Sequence, residues 1–229
     1  MNDTNALLNV DLLKRLAPFT RSGYALFREV IDMDGAMPAK LKLLCAAVAA
    51  CNRGYIELAV TELKGAALKG LQQQEAASGL ILLSSLRGEG AALAFDSIIR
   101  QVYPASATPT MDPGLERAMP GEAESNFLSY FGSVPPALAI LLRLVPPAAD
   151  AYYLMRKGTI DCNQLDRKSA ELMLIAVLAS DYSPMAITHI RAARAVGASD
   201  AEMAEAILCA VPCAGIAAWM GAGMLLETS

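Results

Sequence analysis

Apolar residues recur at i, i+3, i+4 and i+7 along almost the whole chain, in segments rich in Ala and Leu with few β-branched runs. That period buries one face of an α-helix and gives no sign of strand alternation. The pattern predicts helices over 6–16, 20–31, 38–51, 54–70, 73–86 and 88–102, then 115–131, 135–144, 147–157, 166–180, 183–197, 200–210 and 214–227. One boundary is sharply signalled: Gly197 ends a helix, and Ser199 with Glu202 three residues on forms a capping box for the next. The fold class is all-α.

The segment 104–126, PASATPTMDPGLERAMPGEAESN, is dense in Pro, Gly, Ser and Thr and reads as a linker. It divides the chain into a first repeat, 1–103, and a second, 127–229. Arg15, Leu16, Pro18 and Tyr24 fall against Arg143, Leu144, Pro146 and Tyr152 at an offset of 128. Tyr55, Ala66, Gly70, Glu75 and Gly88 fall against Tyr182, Ala193, Gly197, Glu202 and Gly215 at an offset of 127. A nearly constant offset over so much chain indicates a tandem duplication.

Composition narrows the functions. Hydrophobic residues make up 55% of the 229 positions, charged residues 18%, and the net charge is −4. With no Lys/Arg stripe to meet phosphates, nucleic acid is excluded as the main partner. So little charge on so apolar a chain points to surface hidden in a homo-oligomer. The N-terminal stretch lacks the basic-then-apolar signal pattern, which predicts a cytoplasmic protein. The uncharged run 206–226 has the length to cross a bilayer, but Pro212, Gly215, Gly221 and Gly223 interrupt it and no basic anchors flank it. It reads as a buried helix or helix pair, with no membrane partner. The five cysteines have no spacing suited to zinc and read as free thiols.

The segment 171–205, ELMLIAVLASDYSPMAITHIRAARAVGASDAEMAE, holds the only histidine, His189. Imidazole titrates near neutral pH, so His189 is the strongest candidate for moving a proton. Glu171, on an otherwise apolar helix, either lies at the helix start or turns inward; a bond to His189 would fix the ring's tautomer. Arg191 and Arg194 share a helix face and are candidates for holding a carboxylate substrate. In the first repeat Arg53, Tyr55, Glu57 and Glu62 form a polar cluster, in which Glu57 and Glu62, five apart, do not share a face well. No phosphate loop or dinucleotide fingerprint is present, and one histidine makes a transition-metal site improbable, so neither cofactor nor metal is expected.

The order in the second repeat, an ELMLIAV helix, a helix with His followed eight residues later by Gly, then S-x-x-E, resembles the carboxymuconolactone decarboxylase and alkyl hydroperoxidase D-like superfamily. The likeness covers 168 to about 219 well and 40–92 as a diverged copy. It implies compact helical units that assemble as trimers or hexamers, with sites near helical hairpins and subunit interfaces. The peroxidase branch carries E…CxxCxxxH; Glu171 and His189 match it, while Tyr182 and Met185 stand where the thiols would be. Neither can supply a thiolate. In the first repeat the resemblance sets Lys42 at the glutamate position and Glu62 at or beside the histidine position. What it implies is a cofactor-independent acid/base enzyme acting on a small carboxylated, cyclic or lactone-type metabolite. His189 would move the proton, Glu171 would orient it, and Tyr182 or Arg191 would steady developing charge. Two alternatives stay open: a non-catalytic helical oligomer that binds a small ligand or partner, and thiol-based redox work through Cys51 or Cys209 and Cys213.

Overall fold

The structure, a computed structural model, describes residues 6–103, 112 and 114–228. All regular elements among them are helical. A short 3-10 turn, Ala6–Asn9, precedes α1 (Asp11–Leu16), α2 (Pro18–Asp32), α3 (Ala39–Asn52), α4 (Ile56–Leu68), α5 (Gln73–Leu86) and α6 (Glu89–Val102). After α7 (Glu122–Phe131) follow α8 (Pro136–Leu144), α9 (Pro146–Asp161), α10 (Arg167–Ser180), α11 (Ala186–Ala195) and α12 (Asp200–Leu208). Three short helices end the chain: α13 (Val211–Ala214), α14 (Ala217–Ala222) and α15 (Leu225–Thr228).

The repeat is visible in these bounds. α3 and α10 are each 14 residues long and begin 128 residues apart, and α2 and α9 both open on a proline, which is pre-set for the first helical turn. The anticipated capping box is present: Ser199 Oγ accepts from the Glu202 N–H at 3.2 Å and the Ser199 N–H donates to Glu202 Oε2 at 2.8 Å. Its counterpart is the Gln72/Glu75 box on α5. Even the tethers match, Lys40 to Glu75 at 2.7 Å and Lys168 to Glu202 at 2.6 Å.

α3 and α10 form the centre. Ala39 and the run 41–51 are buried, as is every residue of 169–180. Helices apolar on all sides belong inside a core rather than on its surface, and here they pack on one another in a single cluster that draws on both repeats. A smaller cluster around Phe127, Ala149 and Tyr153 holds α7, α8 and α9 together.

The contacts between the repeats are reciprocal. The Ala36 N–H donates to Glu205 on α12 at 2.9 Å, and the Gln164 N–H, at the equivalent position, donates to Ser78 on α5 at 3.1 Å. Asn52 Nδ2 donates to Ser180 Oγ at 3.1 Å, joining the last residues of α3 and α10 to each other. Equivalent residues meeting across a contact are the mark of an approximate twofold.

Several boundaries differ from the sequence reading. α7 starts at Glu122 rather than 115, because Gly121 takes φ 84° and the Glu122 carboxylate accepts the Met119 N–H, so the helix begins after Pro120. Residues 104–111 and 113 of the anticipated linker lie outside the described residues. The 183–197 helix starts at Ala186, after Tyr182 has turned the chain at φ 55°. The apolar run 206–226 is broken into four pieces at 209–210, 215–216 and 223–224, and no helix among the described residues is long and apolar enough to cross a membrane. The equal bounds of α3 and α10 set Leu43, not Lys42, opposite Glu171. Lys42 instead reaches Glu205 Oε2 at 3.1 Å and the Val30 carbonyl at 2.6 Å, with its side chain 1% exposed.

Candidate active site

Asp166 caps α10 by accepting the Ser169 N–H at 2.9 Å, which puts Glu171 in the second turn, past the orphan N–H groups. Glu171 therefore does not sit at the helix start; it is buried in the core. Its Oε2 lies 2.8 Å from His189 Nδ1 on α11, with side-chain exposures of 5% for the glutamate and 18% for the histidine. At that distance the Nδ1–H donates a hydrogen bond to the carboxylate, which in the neutral ring leaves the lone pair on Nε2. A buried acceptor holds a ring that is itself only partly buried, an arrangement in which Nε2 can take up and return a proton.

The sequence reading missed Tyr130, which feels the charge of Glu171, and Arg156, which lies on the Tyr130 ring. The Tyr130 phenol on α7 is pushed up by burial and by the negative charge of Glu171, against the opposing pull of Arg156 and Arg167. The Arg156 guanidinium on α9 lies 3.9 Å from the centre of the Tyr130 ring and donates to Asn126 at 3.2 Å. A signal for Arg156 existed, since it falls 128 residues after Arg28, which bonds the first-repeat counterpart of His189. Tyr130 had none, being brought in by tertiary packing.

The other candidates fall elsewhere. Tyr182 donates its hydroxyl to the Ala214 carbonyl at 2.7 Å, and Arg53 lies over its ring at 5.7 Å. It supports the junction of α10 with α13 rather than the pair. Arg53 and Arg87 both face Asp181, at 3.9 and 2.7 Å. Arg194 is committed to Asp200 and to the Leu226 carbonyl, both at 2.6 Å, so it ties α11 to the C-terminal helix instead of waiting for a substrate. Arg191 is exposed. Tyr55 lines a cavity of about 600 Å³ with Glu57, Leu58, Pro212 and Cys213.

Glu62 occupies the His189 position of the first repeat and is buried. Arg28 grips it with two bonds, Nη1 to Oε1 at 2.6 Å and Nη2 to Oε2 at 3.0 Å, and holds Asp32 at 2.5 Å. Burial pushes the Glu62 carboxyl up, and Arg28 opposes this. Contrary to the helical-wheel expectation, Glu57 and Glu62 line one cavity, because it is wide enough to take in both.

Burial disfavours a thiolate at Cys45, Cys51, Cys209 and Cys213. It pushes Cys45 and Cys213 up to about 12 and Cys51 up to about 11, and raises Cys209 as well. All five cysteines are free, and Cys162 is exposed. Among the described residues no group of three or more His, Cys, Asp or Glu side chains is arranged to hold a metal.

Residues 146–226, from α9 into α15, match the model of the carboxymuconolactone decarboxylase family. The matched span contains Arg156, Glu171 and His189 and leaves out Tyr130 and the whole first repeat. No curated protein matches the chain.

Proposed function

We propose, from the match of residues 146–226 to the carboxymuconolactone decarboxylase family model, that this protein is a cofactor-independent acid/base enzyme acting on a small carboxylated or lactone-type metabolite. The observation that carries the reading is the 2.8 Å contact between buried Glu171 and half-buried His189. His189 Nε2 removes a proton from carbon next to a carbonyl and returns it elsewhere, while Glu171 keeps Nδ1 protonated and offsets the charge that the ring acquires. Arg156 supplies positive charge near the substrate carboxylate or the developing enolate. Tyr130, in place of Tyr182, is the nearby hydroxyl.

Carbon-acid exchange tests this across a range of candidate substrates. The full-length protein is incubated in D2O with a panel of small carboxylated lactones and their open-chain acids, and loss of α-proton signals is followed by NMR. Exchange of at least one panel member is expected near neutral pH, falling about 100-fold or more in His189→Gln. A wild-type protein silent across the panel, or a His189→Gln variant as active as wild type, overturns the proposal.

We further propose a homo-oligomer, trimeric or hexameric. α1 and α8, equivalent helices of the two repeats, bury no residue and expose Leu12, Leu16, Ile140 and Leu144 at 50–72%. A second copy covering these faces would remove them from water. The same observation favours a second reading, a non-catalytic helical oligomer; light scattering tests the assembly and the exchange experiment separates the two.

A further inference from the structure

A cavity of about 900 Å³ opens on the first repeat between α2 and α4, within the range of small-molecule sites. Its position is the first-repeat counterpart of the Glu171/His189 pair, since Leu43 and Glu62 line it. The second repeat contributes as well: Pro212 forms part of the wall, so the site exists only where both repeats meet.

Leu7, Leu8, Leu43, Leu58 and Leu68 give the cavity apolar walls. Its charged lining consists of Glu29, Asp32, Glu57 and Glu62 against Arg28 and Lys69, an acidic excess. Arg28 donates to Glu62 and Asp32 through both Nη atoms, and its Nε is sealed from solvent without an acceptor. The charge of Arg28 is already opposed by the carboxylates of Glu62 and Asp32. Tyr24 adds a ring of the kind whose face attracts cations.

The acidity belongs to this repeat alone. At the equivalent positions of the second repeat, Glu29, Asp32, Glu57 and Glu62 are replaced by Lys157, Ile160, Pro184 and His189, and Leu43 by Glu171. One copy has the acid/base pair; the other has an acidic, apolar-walled space of similar origin.

We propose that the first-repeat cavity is a binding site for a small organic ammonium ion with an apolar body. The hydrocarbon part lies against the leucines, and the ammonium faces the open carboxylates of Glu57 and Glu29 beside Tyr24. Glu62, held by Arg28, keeps the floor of the site rigid. This inference stands apart from the chemistry of Glu171 and His189.

Isothermal titration calorimetry of the full-length protein with n-hexylammonium chloride tests it, with sodium hexanoate as the anionic match in size. The amine is expected to bind, more weakly as salt is raised, and hexanoate is not. Glu57→Gln, at an exposed position, is expected to weaken the amine about fivefold, the scale of one partly solvated charge contact. Gly65 lines the cavity and an added Cβ there would meet only Leu43 at 3.5 Å, so Gly65→Leu is expected to fill the space, fold normally and abolish binding. His189→Gln is expected to leave amine binding unchanged. Absence of amine binding, hexanoate binding as tightly as the amine, or full binding by Gly65→Leu overturns the assignment.

Discussion

Glu205→Gln should destabilise this protein by about 3 kcal/mol, although residue 205 lies on the rim of the core and takes no part in the proposed chemistry. The carboxylate accepts the Ala36 N–H at 2.9 Å, the Met37 N–H at 2.8 Å and Lys42 at 3.1 Å. An amide keeps one of the backbone bonds but turns an NH2 group toward donors. It also leaves Lys42, 1% exposed, with the Val30 carbonyl as its remaining partner. Breaking a buried pair from one side costs about 3–5 kcal/mol, and the lower end applies because Glu205 is 19% exposed. Against a total of about 5–15 kcal/mol the loss is large, and it corresponds to a fall in Tm of roughly 6–12 °C for a chain of this length. Urea unfolding followed by circular dichroism at neutral pH measures it, and Lys42→Met combined with Glu205→Gln should restore most of it, since no charge is then stranded. A single-variant loss below about 1 kcal/mol, the scale of a surface pair, would refute the reasoning. The pH dependence gives a second reading. Burial raises the Glu205 carboxyl, but the Met37 and Ala36 N–H groups and Lys42 outweigh it and hold the group below its ordinary value of 4.5. The unfolded chain therefore takes up this proton first as pH falls, so the stabilisation is complete above the unfolded value and is lost as pH drops through the folded one. Glu75 and Glu202 are lowered too and add to that acid slope, while Glu62, raised by burial, works against it. Glu205→Gln should flatten the slope below pH 4.5.

Gly79→Ala should destabilise by about 1–3 kcal/mol despite alanine's better helix propensity, because its Cβ would lie 2.6 Å from Val48 and 2.7 Å from Phe95; equilibrium unfolding no weaker than wild type would contradict this. Tyr182→Phe should cost about 1 kcal/mol through loss of the bond to Ala214 and leave proton exchange at His189 unchanged, so a collapse in exchange rate would return Tyr182 to the site. Iodoacetamide at pH 8 should label Cys162 in the native protein and reach Cys45 and Cys209 only after unfolding, as read by peptide mass spectrometry. Rapid native labelling of Cys209 would reopen the redox alternative.

Much of the fold was legible because the helical period and the Ser199/Glu202 cap are local signals, while the proline starts of α2 and α9 were passed over. The pairing of Glu171 with His189 was legible as a possibility, through the resemblance rather than through spacing. The slip that set Lys42 where Leu43 belongs has a physical cause: α3 is buried on nearly every side, so its apolar positions mark no single face by which to fix register. Tyr130 was hidden because its place near Glu171 and under Arg156 depends on how α7 and α9 pack. Tyr182 misled because it lies in the matching segment, yet its left-handed backbone turns the ring toward Ala214. Arg194 looked available in sequence because nothing local reveals that Asp200 and the Leu226 carbonyl already hold it.

The approximate twofold joining α3 to α10 has a consequence for how the two sites vary. In a pair of identical separate chains each mutation strikes both sites at once, so a change that helps one and harms the other is barred. Here the equivalents are encoded by different codons, and Glu62 can leave the histidine role while His189 keeps it. Covalent linkage has turned a symmetry constraint into independent inheritance, and the near-identical frames of the two repeats record what must still be shared.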